Sequence, residues 1–267
     1  MPSNATSSSS LWSYRGFIAA AMRRDFRERY QQSLLGVAWT ILNPLAMILV
    51  YTLIFSQLMQ LRLPGVDSTL SYSIYLMAGI LPWGLFADTV NRSQRLFLDQ
   101  ANLIKKVHFP KSALIVILLG NSTIHFLIVL GLFLLLLVAL GAFPGWVIFA
   151  FIPLVALQLL FMVSVVTLLS VSNVFFRDVG QLTGIGLQLW FWLTPIVYSE
   201  QIVPAHYRTL FELNPLLPLF RAYQGVLVQG MWPNWSSLLG LLVLTVLLNA
   251  IAWRFFQTRS ADLVDEL

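Results

Sequence analysis

The chain has 267 residues, of which 58% are hydrophobic and only 10% charged, with a mean hydropathy of +0.79. Charged residues make up about a quarter of an average globular chain, so this composition excludes a soluble domain. The formal net charge is +5, but the positive residues flank apolar runs, which ties them to the membrane surface and leaves no case for a nucleic-acid partner. There is no cysteine, which excludes disulfides, a thiol nucleophile and thiolate metal sites.

Residues 1–10 are Ser-rich and lack the basic start and apolar run of a signal peptide, so they read as a disordered tail. Leu11–Tyr30 is too charged to cross a bilayer. Tyr14, Ile18, Met22, Phe26 and Tyr30 recur in steps of four along one helical stripe, with Arg23, Arg24 and Arg27 mostly elsewhere. That pattern predicts an amphipathic helix in the membrane interface, within a segment 11–35, its arginines toward headgroups or a cytoplasmic partner. A helix of a small soluble N-terminal domain is the alternative.

Six apolar stretches follow, at about 38–60, 71–90, 112–141, 145–171, 182–198 and 237–256. The first is long enough for a hydrocarbon core of about 30 Å, and Asn43-Pro44 sits near its start. The second holds Gly79 and Pro82-Trp83-Gly84, which predicts a kink or break, and Asp88 near its end is one turn from Arg92. The third is nearly unbroken and long enough to tilt or overhang. The whole therefore reads as an all-α integral membrane protein with six transmembrane helices (residues 36–256) and a charged tail at 257–267.

Between the second and third stretches lies Asn91–Lys111, NRSQRLFLDQANLIKKVHFPK, with Arg92, Arg95, Lys105, Lys106 and Lys111 against Asp99. Leu96, Phe97, Leu103 and Ile104 recur at a spacing of seven, Asn102 suits a helix cap, and Pro110 a stop, predicting a short helix over Leu103–His108. A short apolar-ridged helix under a membrane domain is suited to touching a partner; an ordinary positive-inside loop is the alternative. NVFFRDVGQ, residues 173–181, is a second polar break, carrying Arg177-Asp178. Six spans put both termini in the cytoplasm, and 13 of the 16 basic residues then fall inside, leaving Arg62, Arg208 and Arg221 outside.

Ser199–Trp235 fits neither a loop nor a span. Its apolar runs, Leu216–Phe220 and Gly225–Val228, are too short to cross, and Asn214-Pro215 reads as a helix start. Two short helices dipping back into the membrane from outside satisfy both features; a surface helix anchored by Trp232 and Trp235 is the alternative.

The missing chemistry narrows the class. No Gly-x-x-x-x-Gly-Lys-Ser/Thr phosphate loop occurs. His108, His125 and His206 show no metal-ligand spacing, and no paired carboxylates sit within a span. His125 reads as a hydrogen-bonded packing residue. No second half resembles the first, which weighs against a repeat-built secondary transporter. The chain therefore reads as a non-enzymatic membrane domain whose motor is another protein. Trp39, Tyr51, Phe55, Trp190, Trp192 and Tyr198 are candidates to line a transport path, or else pack against lipid and neighbouring helices.

LLGVAWTILNPL (Leu34–Leu45), ANLIKKVHFPK (Ala101–Lys111), NVFFRDVGQ and FELNPLLPLFRAYQGVL (Phe211–Leu227), behind an amphipathic helix, resemble the bacterial ABC permeases that export polysaccharide, the O-antigen, capsule and teichoic-acid exporters. The resemblance runs from about Leu11 to Phe256. It implies a permease without cofactors of its own, in the bacterial inner membrane. The permease would be a homodimer joined to two copies of a P-loop ATPase that bind ATP and Mg, moving an undecaprenyl-linked polysaccharide. On matching positions, Leu103, Ile104, Lys105, Lys106, Val107, His108, Phe109 and Pro110 would form the helix that couples to the ATPase. Residues 204–228, with Asn214, Pro215, Pro218 and Arg221, would form a re-entrant periplasmic gate. A drug, haem or lipid exporter, or a membrane-embedded transferase, is the rival reading.

Overall fold

The computed structural model describes residues 14–28, 38–54, 69–106, 109–200, 203–260 and 262–267, and all its described regular elements are helical. In chain order they are α1 (Arg15–Glu28), α2 (Trp39–Leu53), α3 (Thr69–Ser93), α4 (Leu96–Asp99), α5 (Ala101–Lys106), α6 (Ser112–Ala139), α7 (Phe151–Phe175), α8 (Asp178–Trp192), α9 (Ala205–Glu212), α10 (Leu217–Gln224), α11 (Leu239–Arg259) and α12 (Asp262–Glu266). Among the described residues four helical stretches are long and apolar enough to cross a bilayer: Leu70–Ser93, Ser112–Ala139, Gly145–Phe175 and Trp235–Arg259. They correspond to the second, third, fourth and sixth apolar stretches. The described parts of the first and fifth, α2 and α8, have 15 residues each. At about 1.5 Å per residue that is short of the bilayer core.

Helix α3 is the hub, packed against α2, α6, α7, α8 and α10. Leu76, Met77, Ala78, Phe86 and Val90 are almost wholly buried along it. The break expected at Pro82 does not occur; α3 is helical through it. Pro82 lacks the N–H that would bond the Ala78 carbonyl one turn back, and the helix continues because α3 is held on all sides by neighbouring helices. Separately, Gln158 Nε2 of α7 donates to the Pro82 carbonyl at 2.7 Å and ties α7 to α3. Gln158 Oε1 in turn accepts from the Tyr223 hydroxyl of α10 at 2.8 Å. Three elements are thus joined by one buried amide. Replacing it by an isosteric apolar group, Gln158→Leu, orphans the Tyr223 hydroxyl, and we expect a loss of about 1–3 kcal/mol, read as a lowered unfolding midpoint in detergent and largely relieved by adding Tyr223→Phe.

The other helices divide by face. α6 and α11 keep exposed aliphatic rows (Leu127, Leu135 and Val138; Val243, Val246 and Ile251), as expected of surfaces that meet lipid. α7 and α11 pack together, and Asn249 Nδ2 donates to the Leu160 carbonyl across them at 2.9 Å. The tight 141–145 turn between α6 and α7 uses Gly141 and Gly145 at φ of 69° and 71°, the left-handed region that disfavours a Cβ.

Several boundaries differ from those expected. The third span ends at Ala139, the fourth runs on to Phe175 after a 3₁₀ turn at Gly145–Ala150, and the sixth continues to Arg259. The fifth starts at Asp178 and ends at Trp192, well before Tyr198. Pro195 explains the early end, because it lacks an N–H and biases Thr194 away from helix.

Candidate functional site

One end of the bundle gathers every basic connecting segment that the structure describes. Helix α1 lies along α6. A Cβ at Gly120 would sit 2.4 Å from Met22 Cε, so the glycine admits α1 at close range. Asn121 Nδ2 donates to Asp25 Oδ2 at 3.2 Å, and Phe17 packs on Phe109 with ring centroids 5.5 Å apart. The packed face holds Phe17, Ala21 and Asp25 beside Ile18 and Met22. Steps of four overrun a 3.6-residue turn, so the buried stripe drifts from Tyr14, Ile18 and Met22 toward these neighbours. Arg23 and Arg24 are exposed; the side chain of Arg27 lies outside the described residues.

The segment after α3 forms two short helices where one was expected. α5 begins at Ala101, before Leu103, and Asn102 lies exposed inside it and does not cap it. The N–H groups of Leu103 and Ile104 are taken by the Gln100 carbonyl instead, both at 3.0 Å. Its backing is solid. Phe97 is wholly buried and stacks on Phe256 of α11 at 6.4 Å, and Ile104 is buried below. Lys111 Nζ donates to the Ser260 carbonyl, and Leu263 of α12 is fully buried against this end. Lys105 and Lys106, by contrast, are exposed, in the last turn of α5. Leu103, Phe109 and Pro110 are half-buried; Val107 and His108 lie outside the described residues.

The second polar break joins the same end through a residue that sequence reasoning passed over. Asn173 Nδ2 donates to the Gln94 carbonyl at 2.8 Å, and its Oδ1 accepts from the Gly180 N–H at 2.8 Å. It pins the α7–α8 turn to the segment behind α3. Arg177 and Asp178 are exposed there, with Asp178 in the first turn of α8, where a carboxylate meets the positive helix end.

Deeper in the bundle, α8 stops and residues 193–199 run along α3. A Cβ at Gly79 would sit 2.8 Å from Ile196 Cγ2, so only glycine admits this segment. Tyr72 donates to the Val197 carbonyl at 2.6 Å, Tyr75 lies 3.0 Å and 2.9 Å from the carbonyls of Pro195 and Tyr198, and Gln224 donates to Pro195 at 3.0 Å. Asn214, 7% exposed, holds the next turn: its Oδ1 accepts from Trp190 Nε1 at 2.8 Å and from the Leu216 N–H at 3.1 Å. Its Nδ2 donates to Thr194 Oγ1 at 2.9 Å and to the Leu193 carbonyl at 3.1 Å. Helix α10 itself starts at Leu217 with Pro218 in its first turn, so Asn214 bridges the preceding turn and is not the cap itself. Phe220 is fully buried 6.0 Å from the Trp83 ring, whereas most of α9 is exposed. Arg221 is exposed and forms a two-pronged ion pair with Glu200, one arm at 2.8 Å.

The aromatic candidates separate. Trp190 is packed edge-on to Phe86 at 5.3 Å and tied to Asn214, which makes it a structural residue. Trp39 and Trp192 are exposed, Trp192 beside Phe191 at 5.4 Å, and half-buried Tyr198 packs edge-on to Phe211 at 6.2 Å. Phe55 and the side chain of Tyr51 lie outside the described residues. The exposed face of α8 mixes Gln181, Gly184, Gln188 and Trp192 with the aliphatic Leu182, Ile185 and Leu189. No group of three or more potential metal ligands occurs among the described residues.

Residues 17–228 match the family model described as the ABC-2 type transporter. The O-antigen export system permease protein RfbA of Myxococcus xanthus is 30% identical over 259 residues, covering 96% of this chain and 97% of that protein. A protein of the same description from Klebsiella pneumoniae is 30% identical over 210 residues, 78% of each chain. The polysialic acid transport protein KpsM of Escherichia coli is 22% identical over 246 residues, 91% of this chain and 93% of its own.

Proposed function

Since the chain belongs to the ABC-2 type transporter family, we propose that it is the membrane permease of an ATP-driven exporter that carries a lipid-linked polysaccharide, O-antigen first among the candidates, from cytoplasm to periplasm. It is a permease subunit, and the ATPase is a separate chain. The observation that carries the mechanism is α5: a short helix braced from behind by Phe97, Ile104 and the C-terminal residues, which presents Lys105 and Lys106 outward. A lever must be stiff where it is held and exposed where it is pushed.

In this reading two copies form the channel, each with six spans, α2 and α8 being parts of the first and fifth. Both termini and the α4–α5 segment lie in the cytoplasm, consistent with α1, α5 and α12 sharing one end. Arg23, Arg24 and Arg27 face headgroups or the partner, and Arg177 and Asp178 form the second cytoplasmic contact. Residues 204–228 dip back as a periplasmic gate, a reading supported by the burial of α10 against Trp83 and Gln158. Such irregular backbone at membrane depth survives only under protein cover, which Asn214 and the tyrosines supply. The exposed face of α8, with Trp39, Trp192 and Tyr198, lines the sugar path together with Tyr51 and Phe55. The partner ATPase binds ATP and Mg.

Deleting the gene in its native host tests the assignment. Loss of surface polysaccharide, with lipid-linked polymer accumulating inside and export restored by the wild-type chain, is the expected result. An unchanged surface polymer with loss of some other exported molecule would overturn it. The similarity to the polysialic acid transport protein makes polysialic acid the second cargo to assay.

A further inference from the structure

Two clefts open one above the other along the seam between α3 and α6. The lower, of about 360 Å³, lies at the end that carries α4 and α5 and is walled on one side by α1; Arg24, Arg92 and Arg95 line it together with Asp25, Asp99 and Gln100. The upper, of about 320 Å³, is walled by α2 and is mostly apolar, with Met47, Gly84, Leu85, Phe126 and Val129, and with Asp88 and His125 among its lining. Arg92 forms the neck between them: it pairs with Asp88 at 3.6 Å and reaches Ser122 Oγ at 3.5 Å. From Leu118 in the lower cleft to Val129 in the upper is about 16 Å along α6 at the helical rise. Both volumes lie in the range of about 300–1,000 Å³ of ligand pockets.

A chamber that sets three arginines and two aspartates among apolar residues, with Phe17, Leu96 and Ile117 in its lining, continued inward by an apolar slot, has the layout of one amphiphile standing upright in the bilayer. The charges select its headgroup. Three guanidinium groups match phosphate, which arginine binds in a bidentate manner. Asp25 and Asp99 in the same chamber would repel a headgroup that carries only negative charge, and they suit an ammonium. We infer that this seam binds a membrane glycerophospholipid with a zwitterionic phosphate–ammonium headgroup: the phosphate among the arginines, the amine at the aspartates, one acyl chain in the slot beside Gly84. Leu103 of α5 also lines the lower cleft, so the bound lipid braces the α5 segment against α1. The inference needs only the bilayer location, not the identity of the exported polymer.

The test is native mass spectrometry of the intact permease–ATPase complex, extracted from nanodiscs holding phosphatidylethanolamine and phosphatidylglycerol in equal amounts. The wild type is expected to keep one phosphatidylethanolamine per permease chain after the surrounding lipid is stripped. Arg24→Gln with Arg95→Gln removes two charge-assisted contacts and should reduce that retention at least about ten-fold, the scale of a single one. Gly84→Leu should do the same from the other end, because a side chain there enters open space, with nothing within 4 Å of its Cβ. It fills the slot without straining the fold. Retention unchanged in both variants, equal retention of phosphatidylglycerol, or a polyprenyl-linked glycan as the retained species would overturn the inference.

Discussion

Reversing both charges of α5, in Lys105→Glu with Lys106→Glu, is expected to abolish export and to strip the ATPase from the purified permease. Both lysines are exposed in the last turn of a helix whose other face is buried at Ile104. The reversal removes cations from the negative end of the helix, a loss of about 0.5 kcal/mol each, and, where the proposed coupling sets these cations against carboxylates of the ATPase, turns attraction into repulsion. Like charges facing each other across an interface cost several kcal/mol, so association should weaken at least about a hundred-fold. Neutral Lys105→Gln with Lys106→Gln should lie between, and added salt should narrow the gap between the variants by screening. The bracing residues are untouched, so the variant should still elute as a folded permease. Wild-type ATPase recovery with the charge-reversed chain would remove α5 from the coupling interface.

How far such features can be read from sequence depends on how local their causes are. Length and apolarity marked the long spans, because a bilayer imposes both on a contiguous segment. The basic character of the α4–α5 segment was equally legible, since positive residues collect beside spans. The errors arose where one residue was judged without its tertiary neighbour. Pro82 predicts a kink or break, yet α3 is helical through it, held among α6, α7, α8 and α10. Asn102 looked like a cap, but the Gln100 carbonyl already held the helix start. The continuing apolar run predicts a fifth span to Tyr198, whereas Pro195 and the close fit of Ile196 on Gly79 end the helix at Trp192. Gln158 carries no signal, being a lone polar residue in an apolar run with its partners on other helices, and Asn173 and Tyr223 stand in polar stretches whose local pattern does not show which distant residues they bond.

Asn214 carries the largest stability effect we expect from a single substitution. A side-chain amide offers two donors and two acceptor lone pairs, and here all are used: Trp190 and Leu216 donate to it, and it donates to Leu193 and Thr194. It ties together the end of α8, the irregular 193–199 segment and the turn into α10, so it fixes where the chain folds back. Asn214→Leu keeps the volume and removes every one of these bonds. The Trp190 and Leu216 N–H groups and the Leu193 carbonyl then lose a partner, while Thr194 keeps its bond to the Trp190 carbonyl at 2.9 Å. Buried orphans cost about 1–3 kcal/mol each in water-soluble proteins and less in membrane bundles, so a total of about 3 kcal/mol is the expected scale. The readouts are a lowered unfolding midpoint of the purified complex and faster proteolysis between residues 193 and 216. Trp190→Phe separates the amide's role from simple bulk, because it keeps a large ring and removes only the indole donor. Once Asn214 is leucine that donor is already orphaned, so removing it should restore about 1 kcal/mol, and the two losses should fall short of their sum. Strict additivity would show that the Trp190–Asn214 bond contributes nothing and would leave the anchoring of this turn to the bonds of Asn214 with Leu193, Thr194 and Leu216.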